Sequence, residues 1–226
     1  MIFVPAGFAG KKFKVLAFDF DETLLDKKSF DYPFWFVELP DRVSKKQRIP
    51  FTDALYLVID AFLKLESCAD WYRPSHWFSF FHLRDDWRQA IRSMDSRARF
   101  YPDVVPTLKA LRAKNKYKIV VLSNSITEFL DKKLKDTRSR GLFDAVYSAI
   151  DDFGNNKRHE TFEFFARKMK KDYGVEKHEI LHVGDNYEED YELPKELGIP
   201  SLWINRGMKQ EGRDTIHSLK ELLDFF

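Results

Sequence analysis

The stretch Lys14-Val15-Leu16-Ala17-Phe18-Asp19-Phe20-Asp21-Glu22-Thr23 decides the reading of this chain. Val15 to Phe18 is an unbroken apolar run bounded by charge, the pattern of a short strand buried on both faces. Just beyond it stand two carboxylates, Asp19 and Asp21, two residues apart. In an open α/β sheet, ligands bind outside the carboxyl ends of the strands, so the pair is placed for chemistry rather than for solubility. One carboxylate there can act as a nucleophile while its neighbour handles a proton, and both can hold a divalent cation.

Working outward, apolar strands alternate with helical segments from Tyr101 onward. Strands are expected at Lys118–Leu122, Ile180–Val183 and Ser201–Ile204, with a helix from about Ser125 and another opened by Pro102-Asp103. This is the rhythm of a parallel sheet with crossover helices. The stretch from residue 28 to residue 97 is different. Phe51, Leu55, Val58, Ile59, Phe62 and Leu65 follow helical spacing, Trp77, Phe80, Phe81, Trp87, Ile91 and Met94 nearly do, and no strand pattern interrupts them. The expected architecture is an α/β, Rossmann-like parallel-sheet core from residues 1–27 and 98–226, with an all-helical module inserted at 28–97. Trp35, Trp71, Trp77 and Trp87 are expected to fill the core of that module. Phe34, Trp35 and Phe36, close behind the first strand, are its candidates for touching a ligand.

Composition excludes several classes. The 226 residues carry a formal net charge of +2, too little for a field that would recruit nucleic acid or a membrane surface. No apolar run approaches the roughly 18 residues of a membrane span. Cys68 is the only cysteine, which rules out an intrachain disulfide, and the start, Met1 to Gly7, lacks the basic and apolar regions of a signal peptide. A cytoplasmic protein is expected. The lysine groups Lys168, Lys170, Lys171 and Lys132, Lys133, Lys135 read as solvated helix faces. His76, His82, His178, His182 and His217 show no metal-ligand spacing, and His182, inside a strand, is expected to be packed.

Three further features follow predicted strands or turns: Ser123-Asn124, Lys157 after Asp151-Asp152-Phe153-Gly154-Asn155-Asn156, and Gly184-Asp185. Parallel strands bring these ends to one edge, where a hydroxyl, an ammonium and a third carboxylate meet the Asp19 and Asp21 pair. The set suits phosphoryl transfer. A phosphate repels a carboxylate nucleophile, so a cation and a lysine are needed to offset the charge. Asp19 and Asp185 with a backbone carbonyl offer the all-oxygen donors that magnesium takes.

The sequence here resembles the haloacid dehalogenase superfamily. The signature Asp-x-Asp-x-Thr stands as Asp19-Phe20-Asp21-Glu22-Thr23. The strand-end Ser or Thr is Ser123, the lysine Lys157, and Gly-Asp with a further acidic residue is Gly184-Asp185-Asn186-Tyr187-Glu188-Glu189-Asp190. The resemblance covers residues 12 to 27 and about 100 to 210. It implies a magnesium-dependent phosphatase in which Asp19 attacks phosphorus to form an aspartyl-phosphate, and Asp21 protonates the leaving alcohol and then activates water. Ser123 and Lys157 would bind the phosphoryl oxygens, with Thr23 and Asn124 supporting them. The metal set would be drawn from Asp19, Asp21 and Asp185, with Asp190 orienting the region.

The insert corresponds to the family's small helical cap, which implies a small phosphorylated metabolite as substrate and no nucleic acid or membrane partner. Asp21 speaks against halide displacement, which needs no proton. A phosphomutase and a non-catalytic binding or scaffold protein on the same fold are the rival readings. In many relatives the lysine is followed by Pro, whereas Lys157 precedes Arg158-His159-Glu160, so Arg158 competes for the anion-binding role. Phosphate release by Lys157→Ala and Arg158→Ala variants decides the register: the larger loss should fall on Lys157, and a larger loss at Arg158 would move the motif by one residue.

Overall fold

The computed structural model describes residue 8 and residues 12–65, 68–84, 86–94, 98–207, 212 and 214–226. The opening stretch Met1 to Gly7 and Arg97, at the expected end of the insert, lie outside the described residues. Among the described residues, six parallel strands form one sheet in the order β3-β2-β1-β4-β5-β6. They are β1 (Val15–Phe18), β2 (Lys118–Ser123), β3 (Ala145–Ser148), β4 (Ile180–Gly184), β5 (Ser201–Ile204) and β6 (Thr215–Ile216). The chain builds from β1 outward to β3, then crosses back to lay β4 on the other side of β1. That reversal leaves a crevice at the carboxyl ends of β1 and β4, where the Asp19 loop begins.

The register explains why β1 is apolar throughout. Val15 lies opposite Lys118 on one side and Ile180 on the other, and Phe18 opposite Val121 and Val183, so β1 has no free edge. Its side chains alternate between two cores. Leu16 and Phe18 join Ile119, Val121, Leu181 and Val183 on a face that also buries Leu108 and Leu111 of the helix Val104–Ala113. Val15 and Ala17 join Val120, Leu122 and Ile180 against Phe162, Phe165 and Met169 of the helix His159–Tyr173. Covering both faces with helices is the usual condition for a parallel sheet. Two strands were not foreseen, β3 and β6. Both are short, and β3 is held by β2 and capped at once by Ser148, whose side chain accepts from Asp151 N.

Between β1 and the helix Val104–Ala113 the described residues form helices and no named strand: Asp31–Pro33, a π-helical turn Phe34–Glu38, Leu39–Gln47, Phe51–Lys64, Pro74–Phe80 and Trp87–Ser93. The ends of this segment are tied together. Asp26 N donates to Arg99 O (3.0 Å), Tyr101 N donates to Leu24 O (3.0 Å), and Leu25 bridges Phe100 antiparallel. Within it, Trp77 and Trp35 are buried, with Phe62 packed on both. The expected inner face of Phe51–Lys64 is rotated. Ala54, Val58, Ala61 and Phe62 are buried, whereas Phe51, the first residue after Pro50, precedes the buried stripe and is exposed.

One polar junction ties the catalytic loop to the rest of the core. The Arg206 guanidinium forks onto both oxygens of Asp103 (3.0 and 3.0 Å) and reaches the carbonyl of Thr23 through Nε and Nη2 (3.0 and 2.7 Å). Asp103 also accepts from Leu219 N (2.7 Å) and Ser218 Oγ (2.9 Å). Burial works to raise the Asp103 carboxyl, but Arg206 and these donors outweigh it and hold it below its usual value. The junction therefore contributes stability above the unfolded carboxylate pKa, about 3.9, and loses it as pH falls further. Arg206→Ala should lower unfolding stability by about 2 kcal/mol, because it leaves the buried Asp103 carboxylate without its charged partner. Denaturant unfolding at pH 7 measures this, and an unchanged midpoint would remove the junction from the account.

Candidate active site

Asp19, Asp21, Ser123, Asn124, Lys157, Asp185 and Asp190 meet at the β1–β4 crevice, around a cavity of about 300 Å³. Asp19 follows β1 directly, and its backbone N–H donates to Val183 O of β4 (2.9 Å), so the loop starts as a continuation of the sheet. Glu22 takes a left-handed backbone conformation (φ 62°), which turns the loop sharply enough for Leu24 N and Leu25 N to reach Phe20 O. Ser123 ends β2 and accepts from Ser125 N (3.1 Å). Asp185 ends β4. Asp190 lies in a second π-helical turn, Tyr187–Glu192, entered at Asn186, whose side chain caps Glu189 N. The two π-turns flank the cavity, one supplying Trp35 and Phe36, the other Glu189 and Asp190. The wider winding of such turns re-aims side chains and is frequent at functional sites.

Lys157 is the electrostatic centre. Its Nζ, buried to 3%, donates to Asp19 Oδ1 (2.5 Å) and to Asp190 Oδ1 (2.6 Å). Asn124 fixes the lysine's backbone by accepting from Lys157 N (2.7 Å), while its amide donates to Glu189 (2.8 Å) and to the Tyr72 hydroxyl (3.1 Å). Burial opposes the charge on Lys157, but Asp19 and Asp190 outweigh it and raise its pKa. For Asp190 the balance runs the other way. Burial pushes it up, and Lys157 with His182 Nε2 (3.0 Å) pulls it down to about 2, so it is a fixed anion. His182, expected to be packed, is fully buried and faces Asp190; burial lowers its pKa.

The remaining carboxylates are crowded. Burial, reinforced by Asp190, Asp185 and Asp21, raises Asp19 well above the usual range despite Lys157. Burial and the Asp190 charge push Asp185 up to about 7. Ligand oxygens of Asp19, Asp185 and Asp190 lie within 4.8 Å of one another. Both Asp190 oxygens are already engaged, by Lys157, His182 and Asn186 N. Asp19 and Asp185 each keep an oxygen without a hydrogen bond among the described residues. Two crowded carboxylates with spare oxygens and no nitrogen or sulfur donor fit a hard divalent cation, whose charge would offset both the burial and the repulsion that raise them.

The structure rearranges part of the expected site. Thr23, anticipated with the phosphate-binding residues, does not line the cavity; it is fully buried and its hydroxyl donates to Asp185 Oδ1 (3.3 Å). The carboxylate of Asp21, included in the anticipated metal set, stands apart from the Asp19–Asp185–Asp190 group. Its Oδ1 accepts from Lys133 Nζ (2.6 Å) and its Oδ2 from Ser125 Oγ (2.7 Å). Burial would raise Asp21, and Lys133, Ser125 and Asp31 together overcome it and lower it. Lys133 itself corrects the solvated-face reading of the 132–135 lysines, since its side chain is wholly buried. Phe129, Leu130, Lys133 and Leu134 form the inner face of the helix Thr127–Asp136, so its helical phase with Phe129 was the signal to follow. Arg158 is exposed and donates to Asn156 Oδ1 (3.1 Å), and His159 faces Glu196 at the surface, so Lys157 alone of that stretch enters the site. Of the aromatic candidates, Trp35 and Phe36 line the cavity, joined by Tyr32, Trp71 and Tyr72, and Phe34 is buried behind them.

A family model described as a haloacid dehalogenase-like hydrolase matches residues 13–198. The chain belongs to this family. The haloacid dehalogenase phosphatase of Thermococcus onnurineus superposes with a TM-score of 0.78 at 26% identity, covering 92% of this chain and 95% of that one. An L-2-haloacid dehalogenase superposes at 0.59 with 20% identity over 93% and 97% of the two chains, a likeness of fold alone. Glyceraldehyde 3-phosphate phosphatase of Methanocaldococcus jannaschii is 33% identical over 130 residues, 55% of each protein. The match thus spans about half the length of that curated relative. In this haloacid dehalogenase-like hydrolase, Gly184 is required by space. A Cβ there would overlap the Asp190 carboxyl group. Gly184→Ala should displace Asp190 from Lys157 and His182, destabilising the fold by about 1–3 kcal/mol as an overpacked core does. A thermal melt would register it, and a variant that melts with the wild type would show that Asp190 can move without cost.

Proposed function

We propose that the protein is a magnesium-dependent phosphatase that hydrolyses a small phosphorylated metabolite through an aspartyl-phosphate on Asp19. The observation that carries the reading is the division of labour between the two loop carboxylates. Asp19 sits with Lys157 and the spare oxygens of Asp185, whereas Asp21 is drawn aside to Lys133 and Ser125. Halide displacement would need only the first of these. An ester needs both, because its leaving oxygen must be protonated and water must later be deprotonated.

In this reading Asp19 and Asp185 hold the magnesium ion, which when bound supplies charge to offset the phosphate. Ser123 and the Lys157 ammonium receive the phosphoryl oxygens. Lys157, between Asp19 and Asp190, moves part of its bonding to phosphate as the attacking Asp19 oxygen becomes the bridging oxygen of an acyl phosphate and loses charge. Asp21, ionised at rest, takes up a proton as the anionic ester binds beside it and delivers that proton to the departing alkoxide; it then takes one from the water that attacks phosphorus, which returns Asp19 as a carboxylate. The aromatic wall of Tyr32, Trp35, Phe36, Trp71 and Tyr72 excludes bulk water and so strengthens each of these charge interactions. A cavity of about 300 Å³ is at the small end for ligand pockets and takes a metabolite rather than a folded macromolecule. The helical segment 28–97 is read as the cap that supplies this wall. No helix among the described residues is long and apolar enough to cross a membrane, in keeping with a cytoplasmic enzyme on such a substrate.

A phosphate-release screen over small phosphoesters, with and without magnesium, tests the proposal, using Asp19→Asn as the blank. Magnesium-dependent release is expected on at least one ester, abolished by chelation and in Asp19→Asn. Absence of release throughout would overturn it, and sugar-phosphate isomerisation without net phosphate release would replace it with a phosphomutase. Asp21→Asn should retain magnesium binding by calorimetry and lose about 10²–10⁴-fold in turnover, the usual worth of a positioned acid or base.

A further inference from the structure

Lys133 is a fully buried ammonium that neither phosphate binding nor cation binding uses. It lies on the helix Thr127–Asp136 with no exposed surface, 2.6 Å from Asp21 Oδ1, 2.9 Å from Asp31 Oδ1 and 3.1 Å from Ser125 Oγ. The rings of Phe30 and Phe129 stand 5.1 and 5.6 Å from its Nζ. Ser125 Oγ in turn donates to Asp21 Oδ2, so both oxygens of Asp21 are fixed by groups that Lys133 also touches. Asp31 begins the inserted helical segment, and the cavity is lined by Asp21, Asp31 and Ser125 together.

Stability alone does not account for this arrangement. Taking an ammonium and two carboxylates out of water costs several kcal/mol per ion, and apolar residues of the same volume commonly do as well or better. The position is otherwise apolar, between Phe129, Leu130 and Leu134, where a leucine or methionine would extend the core. What an ammonium adds here is a fixed donor and a fixed positive charge between two carboxylates, of which Asp21 is the one on the catalytic loop.

Resting on the phosphatase reading above, we propose that Lys133 is the positioning residue of the acid–base carboxylate: with Ser125 it orients Asp21, and its charge compensates the carboxylate that Asp21 becomes when it gives its proton to the leaving oxygen. Asp31 holds Lys133 from the other side and keeps its charge from being uncompensated. The step balances. The P–O bond to the leaving group breaks as the Asp19 O–P bond forms, the proton passes from Asp21 to the leaving oxygen, and water returns a proton to Asp21 when the aspartyl-phosphate is hydrolysed. Lys133 gains and loses none.

The role has a signature that phosphate binding or a structural ion pair lacks: it depends on the basicity of the leaving oxygen. An aryl leaving group such as p-nitrophenolate departs without a proton, whereas an alkyl oxygen does not. The measurement is kcat/KM, which reports the steps through leaving-group departure, for p-nitrophenyl phosphate and for the best alkyl phosphate of the metabolite panel. Four variants are compared with the wild type: Lys133→Met, Asp21→Asn, the two combined, and Lys133→Met combined with Asp31→Asn. The last removes one carboxylate together with its counter-charge, so that a folded protein is available if Lys133→Met melts early.

The alkyl ester should lose about tenfold or more beyond any loss on the aryl ester in Lys133→Met, alone or with Asp31→Asn, within the range of a general acid's contribution. Asp21→Asn should show the same bias, and adding it to Lys133→Met should cost little further, as for two residues serving one step. Equal losses on the two esters, or additive effects of Lys133→Met and Asp21→Asn, overturn the proposal while leaving the phosphatase standing. No phosphate release from any ester by the wild type overturns the phosphatase and this proposal with it.

Discussion

The site depends on one ammonium placed among carboxylates that could not otherwise share a dry crevice. β1 and β4 are adjacent parallel strands, so the acids that follow them, Asp19 and Asp185, are delivered side by side, and the π-turn after Asp185 brings Asp190 in beneath them. Lys157 Nζ within 2.5 and 2.6 Å of two of the three makes the arrangement tolerable, and it leaves one negative charge more than it cancels. Burial first, and the residual repulsion with it, displaces Asp19 and Asp185 toward the protonated form. A site left short of positive charge in this way is prepared for a cation and an anionic group together, because each supplies what the other requires.

The framework was legible where local pattern and tertiary role coincide. Buried parallel strands must be apolar on both faces, so β1, β2, β4 and β5 announced themselves as runs, and the acids, hydroxyl and amide beyond them followed from the geometry of strand ends. β3 was not legible because Ala145-Val146-Tyr147-Ser148 is short and partly exposed at its start, and a strand of that kind is stabilised by its neighbour rather than by its own composition. The inserted helices were legible as helices, but not in phase: the exposure of Phe51 reflects how the segment packs, which its periodicity alone does not fix.

Within the site, Asn124 and Asp190 were anticipated as supporting residues, and what escaped were three others whose role is to hold a partner. Asp31 in Ser29-Phe30-Asp31-Tyr32-Pro33 reads as an acid at a helix start, Lys133 as one of several lysines, and Arg206 as a surface cation after β5. Each is defined by a partner about a hundred residues away or more: Lys133 by Asp21 and Asp31, Arg206 by Thr23 and Asp103. Residues that act on a ligand carry their chemistry in their type and spacing. Residues that position them carry it in a contact, and that is settled only when the chain has folded. Thr23 shows the converse: its motif position was right and its partner, Asp185, was not the one anticipated.

The antiparallel pairing of Leu24–Asp26 with Arg99–Tyr101 separates two evolutionary problems. Because the segment between them leaves and returns through hydrogen-bonded neighbours, the sheet perceives it as a closed loop, and the entropy of closing such a loop grows only slowly with its length. Residues can be gained or lost between these two stations at little cost to the strands below. The aromatic wall is thus free to change from one lineage to the next, while the carboxylates on the sheet edge stay where β1 and β4 put them.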